Sequence, residues 1–256
     1  MSPLFKASSP PPVYRVPKPS PLPRLPSFEV GAAYAPARMG GDFYEFVSAS
    51  TSRVVFALFD IAGKRDQALN IAAVAQDFLR HKVPELFSPE DGNESERTSQ
   101  LAIELNRQII ATANGVHCSP GFVGSYHEDI GILTYCNAGH TPGLLCDSSG
   151  MAALEANGLP LGLFTHSTYE AQVSVLLPGA VLLLASRGLL ESRHKDEEFG
   201  LERLKEVMQT GKYHTAQELC NQVLQAAQQF TGAPLVHNDV TAISLLRDAA
   251  KSGAAA

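Results

Sequence analysis

Residues 53–64 read RVVFALFDIAGK. From Arg53 to Ile61 the stretch is β-branched and aromatic with no polar alternation, which is the pattern of a strand buried on both faces. It is broken by Asp60, immediately before Ile61-Ala62-Gly63-Lys64. A carboxylate at the end of a buried strand is costly unless it is paired or bound to a metal. A second acidic turn stands upstream, at Gly40-Gly41-Asp42-Phe43-Tyr44. Its glycines allow a tight turn or a close backbone approach, and Asp42 opens an aromatic strand. Brought together, two such carboxylates suit a hard divalent ion that keeps several waters, Mg²⁺ or Mn²⁺. Taken singly, Asp42 reads rather as a turn cap and Asp60 as a cap for the helix that follows.

Working outward, the pattern mixes hairpins with helices. Asp66 to Val83 has helical spacing, with Pro84 closing it. Residues 88–97 read as a polar loop, and Thr98 to Ala113 as a second helix. Phe122–His127 with Ile132–Asn137, and Gly143–Cys146 with Met151–Leu154, read as hairpins. Tyr169–Leu177 and Ala180–Ala185, joined by Pro178-Gly179, read as a third. Leu201–Thr210 and Thr215–Phe230 read as helices, Thr215 being an N-cap with Glu218 three residues on. Val240–Leu246 closes the chain as a strand. Successive hairpins with paired helices between them predict an α+β layered sandwich rather than a doubly wound parallel sheet.

Of 256 residues, 45% are hydrophobic and 18% charged, an ordinary globular composition. The net charge of −6 hides a split. Residues 1–26 hold 9 of the 17 prolines and four bases with no acid, leaving 16 bases against 26 acids in residues 27–256, a net of −10. Residues 1–26 are therefore expected to be a disordered, Pro-rich basic arm, residues 27–247 one domain, and residues 248–256 a flexible tail. So acidic a body excludes nucleic acid or an anionic membrane as the main partner. The apolar run Ala180–Ala185 falls far short of the roughly 20 residues of a membrane helix. Pro10, Pro11 and Pro12 interrupt any secretory h-region. Cys118, Cys136, Cys146 and Cys220 lack CxxC spacing and read as reduced thiols of a cytoplasmic protein.

Three further segments carry candidate chemistry: Lys64, Asn137-Ala138-Gly139-His140, and Asn238-Asp239 ahead of the last strand. Each has a plainer reading, as a solvated lysine, a hydrogen-bonded loop histidine and a turn. Their order is more telling than any one of them. From about residue 21 to 247 the chain resembles the PPM family of metal-dependent protein phosphatases, the 2C-like group, in its bacterial sporulation stage II protein E branch. Gly40-Gly41-Asp42-Phe43-Tyr44 is similar to that family's GGDxYD opening and Phe59-Asp60-Ile61-Ala62-Gly63-Lys64 to its GDVSGKG turn. Leu105-Asn106 resembles its helical LN, Tyr135 to Pro142 its YxNAGHxP, and Pro160-Leu161-Gly162 its PLG. Gly188 to Glu191 stands in the place of TDGxxE, Phe199-Gly200 in that of FG, and Asn238-Asp239-Val240-Thr241 in that of DDxT. The resemblance implies a four-layer αββα sandwich of two antiparallel sheets flanked by helices. It also implies hydrolysis of phosphoserine or phosphothreonine by a metal-bridged water between two ions.

Under that resemblance Asp42 and Asp60 are the catalytic carboxylates, and Asp42, Asp60, the Ile61 carbonyl and Asp239 are the metal-binding set. Two ligand positions are altered. Ser186-Arg187-Gly188 replaces TDG, so Arg187 stands where a metal-binding aspartate is expected, and Asn238 replaces the first aspartate of DDxT. Ala180 and Arg65 replace the last residues of PGD and GKG. A guanidinium about 4 Å from an ion costs on the order of 4 kcal/mol per pair of unit charges at an effective dielectric near 20. One ion is thus expected more readily than two, or none. Arg187 either contacts phosphate in bidentate fashion or pairs with a neighbouring aspartate and seals the site. Two functions follow: a serine/threonine phosphatase with a degraded metal site, or an inactive pseudophosphatase serving as a phosphoprotein-binding or regulatory module. The expected partner is a regulatory phosphoprotein of the anti-sigma-factor antagonist type.

Overall fold

The computed structural model describes residues 15–37, 41–87, 92–235 and 238–249. In chain order the elements are β1 (Phe28–Ala35), β2 (Asp42–Ser48), β3 (Arg53–Asp60), α1 (Arg65–Phe87), α2 (Glu94–Ala113), β4 (Gly121–His127), β5 (Ile132–Ala138), β6 (Gly143–Asp147), β7 (Gly150–Leu154), β8 (Gln172–Val175), β9 (Val181–Ala185), α3 (Arg187–Leu190), β10 (Arg193–His194), β11 (Glu197–Glu198), α4 (Gly200–Thr210), α5 (Ala216–Thr231) and β12 (Val240–Arg247). One sheet runs β1-β12-β9-β6-β7 and the other β2-β3-β4-β5-β8. Both are antiparallel throughout.

The opening stretch shows why four layers form. In β3, Val55, Ala57 and Phe59 join the core shared with α1 and α2. Val54, Phe56 and Leu58 point the other way, into the core between the sheets. The strand's period of two thus feeds two separate cores. β12 does the same on the other sheet: Ile243 and Leu245 face the inter-sheet core, while Val240 and Ala242 face α4 and α5. The expected αββα sandwich is the architecture found. Among the described residues no helix is long and apolar enough to cross a membrane.

Three expectations need correction. Pro84 does not close α1, which continues to Phe87. Val83 and Phe87 are fully buried on either side of it, and Arg53 Nη1 donates to the Phe87 carbonyl at 2.9 Å. Burial and that contact hold the last turn against proline's cost. Second, α2 begins at Glu94 rather than Thr98, because Asn93 Oδ1 accepts from Ser95 N at 3.0 Å and Glu96 N at 3.4 Å. Asn93→Ala should cost about 1 kcal/mol in urea unfolding, the usual worth of such a cap. Residues 88–91 of the expected loop lie outside the described residues. Third, Pro178-Gly179 does not make a hairpin. β8 pairs with β5, whereas β9 pairs with β6 and β12 in the other sheet. β9 is apolar on both faces and needs a covered interior position, while β8 leaves Val173 and Val175 exposed and lies at an edge.

Residues 1–14 and 250–256 of the expected arm and tail lie outside the described residues. Residues 15–26 run without regular structure apart from a bridge between Leu25 and Phe28. They are held by side chains of the domain. Lys18 N donates to Gln76 Oε1 at 2.8 Å and Gln76 Nε2 returns a bond to the Lys18 carbonyl at 2.7 Å. Arg15 pairs with Asp77, and Ser20 Oγ accepts from Phe46 N at 2.9 Å.

Candidate active site

The sheet register brings the candidate residues together. β2 and β3 pair so that Asp42 stands directly opposite Asp60. At the matching end of the other sheet, Ala185 closes β9 opposite Ala242 of β12. Arg187 therefore follows one strand, and Asn238 and Asp239 precede its neighbour. Asp42, Asp60, Ile61, Arg187, Asn238 and Asp239 all line one cavity of about 180 Å³. Two glycines make the approach possible. A Cβ on Gly41 would lie 2.2 Å from the Ile61 carbonyl oxygen, and one on Gly188 would lie 2.2 Å from that of Asp239. Gly40 lies outside the described residues.

The side chains are engaged as follows. Thr241 Oγ1 donates to Asp42 Oδ2 at 2.7 Å. Arg187 Nε donates to Asp60 Oδ2 at 3.1 Å and lies 3.8 Å from Glu191 Oε1. Asp239 accepts from the Tyr34 hydroxyl at 3.0 Å and Ala37 N at 2.7 Å, with Arg65 Nη1 4.0 Å away. Burial pushes the Asp42 carboxyl up to about 8; bonds from Ser186 and Thr241 oppose that rise, and the neighbouring charge of Asp60 adds to it. Burial also raises Asp60, against the pull of Arg187. Tyr34 is raised by burial first and by Asp239 next. Two desolvated carboxylates at a strand end form a site that takes up a proton or a cation.

In the sequence Tyr34 carries no assigned role, and Ser186 and Thr241 stand in their motifs without one. Lys64 is exposed and does not line the cavity. Asn137-Ala138-Gly139-His140 has the plainer role. Asn137 Oδ1 accepts from His140 N at 2.9 Å, and Asn137 Nδ2 donates to the Leu154 carbonyl at 3.0 Å. Asn106 likewise ties α2 to the segment between β7 and β8, accepting from Gly162 N at 2.7 Å and donating to the Phe164 carbonyl at 2.9 Å.

His140 is buried, and Thr141 Oγ1 donates to the Ala185 carbonyl. The His140 Nδ1 therefore donates toward Thr141, and its Nε2 is an acceptor with no partner among the described residues. Burial holds the imidazole down at about 4 against an ordinary 6.5. The fold binds His140 neutral, so its contribution is present above about 6.5 and is lost as pH falls toward about 4, where the unfolded chain binds the extra proton. That loss is on the order of 3 kcal/mol. Urea midpoints across this window should fall more for the wild type than for His140→Asn.

Residues 50–248 match the family model for stage II sporulation protein E, SpoIIE. The chain belongs to this family. As a SpoIIE-family domain it is of the PPM, 2C-like phosphatase type, and the matched span holds Asp60, Arg187, Asn238 and Asp239. The chain is 28% identical over 229 residues to the phosphoserine phosphatase RsbU of Bacillus subtilis (strain 168), covering 88% of this chain and 65% of that one. It superposes with a TM-score of 0.71 and 18% identity on the PP2C phosphatase domain and regulatory-domain fragment of SpoIIE from Bacillus subtilis, covering 88% of this chain and 64% of that one. This chain thus spans just under two thirds of either relative. The fold is also shared with the catalytic domain of the serine/threonine protein phosphatase PstP, solved with 2 manganese ions, at a TM-score of 0.59, 14% identity, and coverage of 87% and 100%. Among the described residues of this SpoIIE-family chain, no group of three or more His, Cys, Asp or Glu side chains could hold a metal. Asp42 and Asp60 stand opposite each other, and Asp239, which lines the same cavity, accepts bonds from Tyr34 and Ala37.

Proposed function

We propose that this edge recognises the phosphoserine or phosphothreonine of a regulatory protein, and that it does so without two-ion hydrolysis. The observation that carries the reading is Arg187 Nε at 3.1 Å from Asp60 Oδ2. The guanidinium stands where a second cation would, and its other N–H groups, which no described residue is seen to engage, would meet phosphate oxygens in a fork. The donors present fit one hard ion: the carboxylates of Asp42 and Asp60 with the Ile61 carbonyl. An ion held there would polarise a phosphoryl oxygen and neutralise its charge. Asn238 offers a second position only a neutral oxygen, and Arg187 adds a positive charge to it.

The residues then divide the work. Asp42 and Asp60 hold positive charge at the strand ends, Thr241 orients Asp42, and Arg187 faces the phosphate. The partner fits the anti-sigma-factor antagonist type of regulatory phosphoprotein, and the reading carries a cytoplasmic location with it, in keeping with four free thiols. A second reading, a slow serine/threonine phosphatase, is favoured by the intact Asp42–Asp60 pairing. One assay separates them. With a phosphopeptide and excess Mn²⁺ the chain is expected to bind without turnover; turnover that Asp60→Asn abolishes would establish the hydrolase instead.

A further inference from the structure

A larger cavity of about 650 Å³ adjoins the carboxylate cavity and shares Gly188 and Asn238 with it. One wall is the end of α3 with the small β10–β11 hairpin, contributing Glu191, Arg193 and Glu198. The opposite wall is the segment that leaves α5, with Ala233, Pro234 and Leu235, and Val240 opens β12 beneath it. The hairpin is anchored. Arg203 of α4 donates to Glu197 Oε2 at 2.8 Å while its guanidinium lies 4.4 Å over the Phe230 ring of α5. Both walls are therefore fixed relative to α5.

The two cavities differ in what they can hold. The carboxylate cavity has room for a phosphoryl group but not for the chain that bears it. The larger one is of ligand-pocket size and opens from the same strand ends. Its floor is apolar at Leu235 and Val240. Among the described residues its rim carries Glu191, Glu198 and Arg193; Arg193 pairs with Glu198, and Glu191 has only the longer contact with Arg187 at 3.8 Å. The described rim residues thus leave one net negative charge, which favours a basic group, while the floor favours an apolar side chain.

We infer that this groove receives the residues flanking the phosphorylated side chain of the partner, an apolar one on the Leu235–Val240 floor and a basic one at Glu191. The inference rests on the phosphoprotein reading of the neighbouring cavity and adds the partner's local sequence chemistry to it.

The test uses the full chain and four fluorescent peptides. Two carry Lys and Leu on either side of a central phosphoserine or serine, and two carry Gly and Ser there. Lys/Leu flanks should tighten binding about tenfold over Gly/Ser flanks. They should also slow amide exchange in residues 188–193 and 231–235. Ala233 is exposed, so Ala233→Phe fills the groove without touching the core. It should remove the tenfold gain and leave the Gly/Ser phosphopeptide unaffected, and Glu191→Gln should remove the lysine's share. Equal affinities for both flanks, with no protection of those two segments, overturn the groove. Protection there with no preference for phosphate supports the groove as a peptide site and overturns the phosphoprotein reading instead.

Discussion

Changing Arg187 and Asn238 together to aspartate is expected to create a second ion position and to bring Mn²⁺-dependent phosphopeptide hydrolysis up from background. Arg187 pairs with Asp60 at 3.1 Å across the cavity that Asn238 also lines. Removing its charge relieves a repulsion on the order of 4 kcal/mol per pair of unit charges at about 4 Å, or about a thousandfold in affinity for the second ion. Two added carboxylates supply the hard oxygen ligands the position lacks. The single changes should fall short of the pair. Arg187→Ala removes repulsion without adding a ligand, and Asn238→Asp adds a ligand still faced by the guanidinium. The two residues border one cavity, so their effects should be non-additive. A double variant that binds no more Mn²⁺ than the wild type would place the deficit elsewhere.

Arg53→Met should destabilise the domain by about 3–5 kcal/mol, the usual cost of breaking one side of a buried ion pair. Arg53 sits at the end of β3 opposite to Asp60. Its Nε lies 2.8 Å from Glu94 Oε1, with the two side chains only 6% and 16% exposed. Its Nη1 also satisfies the Phe87 carbonyl at the end of α1. Glu94 accepts from Ser125 Oγ at 3.1 Å as well, so one arginine links β3, both outer helices and, through Glu94, β4. The variant leaves Glu94 with only the more distant Arg97, whose Nη1 lies 3.9 Å from Glu94 Oε1, and a helix-end carbonyl without its donor. Chemical denaturation measures the loss, and Arg53→Met with Glu94→Gln should recover part of it. The cavity at the other end of the strand should keep its ion affinity in the folded fraction.

The fold was legible where pattern and burial coincide. Val54 to Phe59 is apolar at every position, which only a strand with a core on each face can satisfy, and β3 is that strand. The Pro178-Gly179 turn was misread for a local reason. The tight turn exists, with Ala180 N donating to the Leu177 carbonyl at 2.8 Å, but its chemistry is the same whether the chain returns to its own sheet or crosses to the other. Pro84 was misread because side-chain burial at Val83 and Phe87 outweighs a local helix breaker. The cavity's charged residues were legible because each stands at the end of an apolar run. Tyr34 and Thr241 were not: they lie inside strands, and face the site only because β1 and β12 pair with Tyr34 opposite Thr241. The adjoining groove is assembled from α3, the β10–β11 hairpin and the exit of α5, and no single stretch of sequence encodes it.

Arg187 is proposed to take the place of one cation. Calorimetric titration of the wild-type chain with Mn²⁺ tests it most directly. A single ion per chain is expected, lost in Asp60→Asn and joined by a second in the Arg187→Asp, Asn238→Asp variant. Two tight sites in the wild type would contradict it.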